Sequence, residues 1–274
     1  MKEQSFKDLQ FKILEIMKFI DKVCRENDIV YHICGGTALG AERHKGFIPW
    51  DDDIDIFMTV ENYEKFRKVF YNIDQDKFYL QEWKLVDDYI QQVKLRYNGT
   101  TLIESVYKSN KEMHQGIFLD IFILHKCPEN TFVQKKLYYY SHFIIGVSLT
   151  KRDWKPKTKF QKVALVLCKI LGRKPILNHM FKLIYKYDEL TDNYKYSFFI
   201  DRAPFPRALF DRELFDNYKE YQFEDTVLYG PTDMPKYLTQ IYGDYMTLPP
   251  VEQRQKKVHA EIWDTEKDYK EYLK

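Results

Sequence analysis

Apolar residues at the start of the chain recur at helical spacing. Leu9, Ile13, Ile16, Met17, Ile20, Val23 and Cys24 would line one face of a helix over 6–27. Residues 29–34 lose that period and read as a short buried strand. Gly35-Gly36 breaks it, and 37–43 reads as a helix with Thr37 near its start. A turn at 46–49 precedes a strand at 53–58, and 61–71 reads as a helix. Strands are predicted at 78–82, 90–97 and 100–105, with Asn98-Gly99 as a hairpin turn. Residues 116–124 form an apolar run interrupted by Asp120. From 131 to 190 the pattern turns helical, with Pro156, Gly172 and Pro175 as breakers. Residues 197–230 are mixed and aromatic, 236–242 reads as a helix, and Pro249-Pro250 precedes a polar helical tail. The pattern predicts an α+β chain, with one part over 1–127 and a mainly helical part over 128–274 that packs on it.

Four aspartates, Asp51, Asp52, Asp53 and Asp55, crowd the mouth of the 53–58 strand. Alternation along an extended chain puts Asp51, Asp53 and Asp55 on one face and Ile54 and Ile56 on the other. Like charges so placed repel, and partial burial strengthens the repulsion. A cation would neutralise them, and adjacent hard oxygen ligands suit Mg²⁺ or Mn²⁺. The D-x-D-x-D spacing also starts an EF-hand loop, but that loop needs Gly next and Glu at its twelfth position, where this chain has Ile56 and Asn62. A charge in the middle of the 116–124 run is costly unless paired or metal-bound. Pairing of that run beside 53–58 would let Asp120 complete a three-carboxylate site. A core ion pair with Lys or Arg is the other reading of Asp120. Gly35-Gly36 before a helix N-terminus would let a phosphate approach free N–H groups, and an ordinary tight turn needs the same residues.

Composition narrows the partners. The 274 residues carry 43 Lys+Arg against 41 Asp+Glu, a net +2 that argues against a general nucleic-acid binder. Cys24, Cys34, Cys127 and Cys168 show no CxxC spacing and read as reduced and buried in a cytoplasmic protein. His32, His114 and His125 have no Cys/His pairing at zinc spacing. The first ten residues lack a signal-peptide apolar core, and no run reaches the roughly 18 apolar residues of a membrane span.

Three blocks carry a resemblance: GGTALGAERHKGFIPWDDDIDI (35–56), GIFLDIFIL (116–124) and YLTQIYGDYMTLPP (237–250). Together they are similar to the signature of the LicD family, which also contains fukutin and fukutin-related protein. The resemblance implies a nucleotidyltransferase fold like the palm of DNA polymerase β, a mixed sheet flanked by helices. It implies transfer of phosphocholine, or a related phospho-alcohol, from CDP-choline or another CDP-alcohol to a glycan hydroxyl, with CMP leaving. Residue by residue, it carries Gly35 and Gly36 onto the nucleotide phosphates, Asp53 and Asp55 onto a metal pair, Asp120 onto the third carboxylate and Asp51 onto an extra ligand. Thr37, Arg43, His44, Lys94 and Arg96 are the further phosphate-contact candidates.

The acceptor class that follows is a cell-surface glycan, such as lipopolysaccharide, capsule or a teichoic acid precursor. Choline, ribitol and glycerol phosphate all stay open. A choline donor would suit an aromatic cage, with Trp50, Trp83, Tyr89 and Tyr107 as candidates. Segments within 138–174 read either as interfacial helices meeting a lipid-linked acceptor at the inner membrane face or as a helical subdomain with its own core. The rival readings are a nucleotidyltransferase placing NMP on a small molecule and a non-catalytic subunit of a glycan-assembly complex.

Overall fold

The computed structural model describes residues 5–73, 76–82, 92–105, 113–152, 154–199, 204–254 and 260–272. The α+β expectation holds. Helix α1 (Phe6–Glu26) buries the predicted stripe, with Leu9, Ile13, Ile16, Met17 and Ile20 fully inaccessible. At its start the Ser5 N–H donates to the Asp8 carboxylate at 2.7 Å. Strand β1 (His32–Ile33) runs into α2 (Gly35–His44), and β2 (Asp55–Thr59) into α3 (Val60–Phe70). Thr59 caps α3 by accepting from the Asn62 N–H. Then come β3 (Phe78–Gln81), β4 (Gln92–Tyr97), β5 (Thr101–Glu104) and β6 (Phe118–Pro128).

The main sheet has the order β1-β2-β6-β4-β3. β2 and β6 are parallel, and the other pairs are antiparallel. The end of the long β6 turns to a different partner, β7 (Tyr194–Ser197), which pairs in turn with β8 (Leu209–Phe210). Between them lie α4 (Thr131–Leu149), α5 (Lys159–Leu171) and α6 (Lys174–Tyr185). A hairpin of β9 (Tyr218–Phe223) and β10 (Thr226–Pro231) leads to α7 (Met234–Tyr242), the short α8 (Val251–Arg254) and β11 (Ala260–Asp264).

Several expectations need correction. Asn98-Gly99 does not close a hairpin: β4 pairs with β3 and β6, whereas β5 pairs with β11. Gly99, at φ +74°, instead turns the chain from one sheet to another. The tail is not wholly helical, because Ala260–Asp264 adds a strand to β5. The part after 128 is mainly helical only over 131–185, and β7 to β11 follow. The core explains why. Tyr194, Tyr196, Phe210, Phe215, Phe223, Leu228 and Tyr237 return to the apolar cluster built by α1 and the main sheet. Residues 138–149 are not an interfacial surface as a whole: Ile144 and Val147 of α4 are buried with Leu177, Ile184 and Phe199 in a second, smaller cluster.

Candidate functional site

Strand register places the acids. Asp55 stands opposite Asp120 on parallel β2 and β6, and Asp120 stands opposite Lys94 on antiparallel β4. Directly opposed residues in a pleated sheet share a face, so the three side chains form a row across three strands. Lys94, 3% exposed, puts its ammonium 3.0 and 3.1 Å from the two oxygens of Asp120, and 3.6 Å from Glu104. The apolar run tolerates its charge because a counter-ion is buried beside it. Asp120 thus forms the expected core ion pair, on a strand that pairs beside that of Asp55.

The Gly-Gly segment abuts these acids. β1 pairs with β2, and the Cys34 N–H donates to the Asp55 carbonyl at 3.0 Å. That contact sets the start of α2 beside Asp55. Gly35 has φ +53°, where a side chain would be strained, and its N–H donates to the Tyr237 hydroxyl at 3.0 Å. A Cβ at Gly36 would stand 2.6 Å from Oδ2 of Asp51, and one at Gly35 3.3 Å from Oδ2 of Asp55.

Asp51, Asp53 and Asp55 line a cleft of about 460 Å³ together with Gly36, Arg43 and Trp50. Its far wall comes from α7 and the loop after it: Tyr242, Asp244, Tyr245, Thr247 and Pro249. Burial, then Asp53, Asp120 and Asp51, push the Asp55 carboxyl well above the usual range. Burial also raises Asp120, with Lys94 pulling it back. Tyr242 is raised by burial and by Asp55. Among the described residues, no three Asp, Glu, His or Cys side chains already converge as an ion-binding group.

Arg43 lines the same cleft as the acids. Arg43 donates from Nη1 to the Tyr245 carbonyl at 2.8 Å and from Nε to Nε2 of His44 at 3.0 Å. Burial and the neighbouring Arg254 guanidinium hold Arg43 below its ordinary value, and burial and Arg43 do the same to His44. Arg254 lies 4.8 Å over the Trp50 ring and donates to the Pro249 carbonyl.

The remaining predicted residues have other positions. Thr37 is buried, and its hydroxyl accepts from the Asp55 N–H at 2.8 Å, so it holds the strand start. Arg96 is 1% exposed and donates to the Gln81 side chain and the Gly116 carbonyl, away from the cleft. Its place in the 92–97 strand gave it the same face as Lys94, and burial decided its partners. Asp52 is buried and accepts from the Ala260 N–H at 2.7 Å, which ties β11 to the aspartate loop. Trp83, Tyr89 and Tyr107 lie outside the described residues. Tyr237, Tyr242, Tyr245 and Arg254 received no role from sequence reasoning, although three of them stand in the 237–250 block that carried the resemblance.

Comparison with known proteins identifies relatives of the chain. The family model described as LicD/FKTN/FKRP, nucleotidyltransferase domain, matches residues 28–163. The chain is 27% identical over 266 residues to the lipopolysaccharide cholinephosphotransferase LicD of Haemophilus influenzae, covering 95% of this chain and 98% of that protein. It is 28% identical over 136 residues to an uncharacterised protein of Rickettsia prowazekii, covering 49% of this chain and 47% of that one. The chain belongs to the LicD family.

Proposed function

We propose that this protein transfers phosphocholine, or a related phospho-alcohol, from a CDP-activated donor to a hydroxyl of a cell-surface glycan and releases CMP. One observation carries the reading: Asp51, Asp53 and Asp55 line a single cleft together with Gly36 and Arg43 of α2. Full-length similarity to a lipopolysaccharide cholinephosphotransferase supports phosphocholine and a lipopolysaccharide-type acceptor. A lipid-linked acceptor at the inner membrane face suits a cytoplasmic enzyme.

The acids fit a divalent cation by their chemistry. All are hard oxygen donors, and Asp55 is raised by the very neighbours an ion would neutralise. Asp53 and Asp55 would hold Mg²⁺ or Mn²⁺ with Asp51 beside them, after a small inward movement. When bound, the ion supplies positive charge to the phosphate oxygens.

The chain's own residues do the rest. Gly36 leaves the α2 terminus open to a diphosphate. Arg43, with Arg254 behind it, stabilises charge gathering on the departing CMP. Asp120, raised by burial, would take the proton of the attacking hydroxyl. Lys94 keeps Asp120 in place by gripping both its oxygens.

The test is incubation with CDP-choline, CDP-ribitol and CDP-glycerol plus Mg²⁺ and a glycan acceptor, following CMP. Release with one donor, and the phospho-alcohol on the acceptor, is the expected result. Nucleotide found on the acceptor would show NMP transfer instead.

A further inference from the structure

None of the 13 residues of α5 is buried. Its inner side rests on α4, where Gly146 makes room: a Cβ there would stand 2.6 Å from the Cys168 sulfur. Its outer side carries Phe160, Val163, Val166, Leu167, Ile170 and Leu171, exposed by 48% to 82%. At 3.6 residues per turn these six form one continuous stripe, flanked by Lys162 and Lys169, with Lys159 at its N-terminal end. Residues 154–187 contain nine Lys and Arg and no Asp or Glu, in a chain whose overall net charge is only +2. Among the described residues no helix is long and apolar enough to cross a membrane.

We infer that the outer face of α5 docks on an anionic lipid bilayer, with the helix lying in the plane of the interface. The apolar stripe enters the acyl boundary while the lysines meet lipid phosphates. A second copy of this chain fits less well, because a two-fold contact would set one basic rim against another. The inference goes beyond the transferase reading and holds whichever group the enzyme transfers.

Vesicle flotation tests it with the full chain and a Leu167→Glu/Ile170→Glu variant. Both positions are exposed, so the circular dichroism spectrum of the variant should match the wild type. Wild type is expected to float with vesicles of phosphatidylglycerol and phosphatidylcholine, and to stay behind with phosphatidylcholine alone. The variant should lose at least about ten-fold in bound fraction. Salt at about 1 M, which screens charges within about 3 Å, should release the wild type. Wild type that fails to float with anionic vesicles, or a variant that floats equally well, overturns the inference. So does a wild-type dimer that the variant splits without any flotation, which would assign the face to a second copy.

Discussion

Asp55 and Asp120 stand side by side in register on the parallel strands β2 and β6, 65 positions apart in sequence. The parallel pairing makes neighbours of two acids from separate apolar runs. Lys94, one strand further on, pairs directly with Asp120 and acts on Asp55 only from a distance.

That imbalance separates stability from activity at the cleft. Asp53→Asn and Asp55→Asn should each lower CMP release by on the order of 10²–10³-fold. Asp53→Asn should keep its Tm. Asp55→Asn should raise Tm by about 2–4 °C in chelator, because it relieves repulsion at a half-buried position. Calorimetry alongside the CMP assay checks both. An active Asp53→Asn enzyme would refute its role as an ion ligand.

Lys94 is predicted to matter through Asp120. Lys94→Met leaves a buried carboxylate without its counter-ion and should cost roughly 3–5 kcal/mol in urea unfolding. Lys94→Met/Asp120→Asn should recover most of that loss, because both members of the pair are then neutral. Equal losses in the single and double variants would show that Lys94 acts by packing, for instance over the Phe118 ring 3.3 Å away.

Gly36→Ala should damage the site while sparing the fold. The new Cβ would press on the Asp51 carboxylate, a flexible end that can swing aside at little cost. We expect CMP release to fall by about ten-fold or more, a loss of at least ~1.4 kcal/mol in transition-state binding. Gly35→Ala should also lose stability, by about 1–2 kcal/mol, because Gly35 occupies the left-handed region. A Gly36→Ala enzyme with wild-type turnover would mean that Asp51 is not needed where it stands.

His32 should give the fold an acid-sensitive limb. Its ring is buried, Nε2–H donates to the Asn217 carbonyl, and Nδ1 faces no partner. Burial lowers its pKa from 6.5 to about 4. The unfolded chain then binds the extra proton first, so stability is intact above pH 6.5 and falls as pH drops toward 4. The loss should reach about 3 kcal/mol. His32→Gln keeps the donor to Asn217 and should flatten the slope of stability against pH across that window. An unchanged slope would locate the acid sensitivity elsewhere, with His114, also lowered to about 4, as the first alternative.

The floor of the site was legible in sequence because its signal is local. Alternation puts Asp51, Asp53 and Asp55 on one face, and the apolar setting of Asp120 demands a partner. Strand pairing supplied what spacing could not. It decided that Asp120 meets both Asp55 and Lys94, and it sent β5 to β11 instead of back along β4. Asp52 looked like its three neighbours and proved to be a tie to Ala260, because its partner lies 208 positions away. Arg96 shared a strand face with Lys94 but was claimed by Gln81 and Gly116. Local pattern reads which residues are costly to bury, and long-range pairing decides what compensates them.

Tyr237 and Tyr242 come to Asp55 from nearly two hundred positions downstream. A protein trimmed to the recognisable stretch 28–163 would keep every acid while lacking α7 and all that follows it. Such fragments should be inert however well they fold. Closing so long a loop is also slow, so the acids should wait, mutually repelling, until the last part of the chain arrives to enclose them.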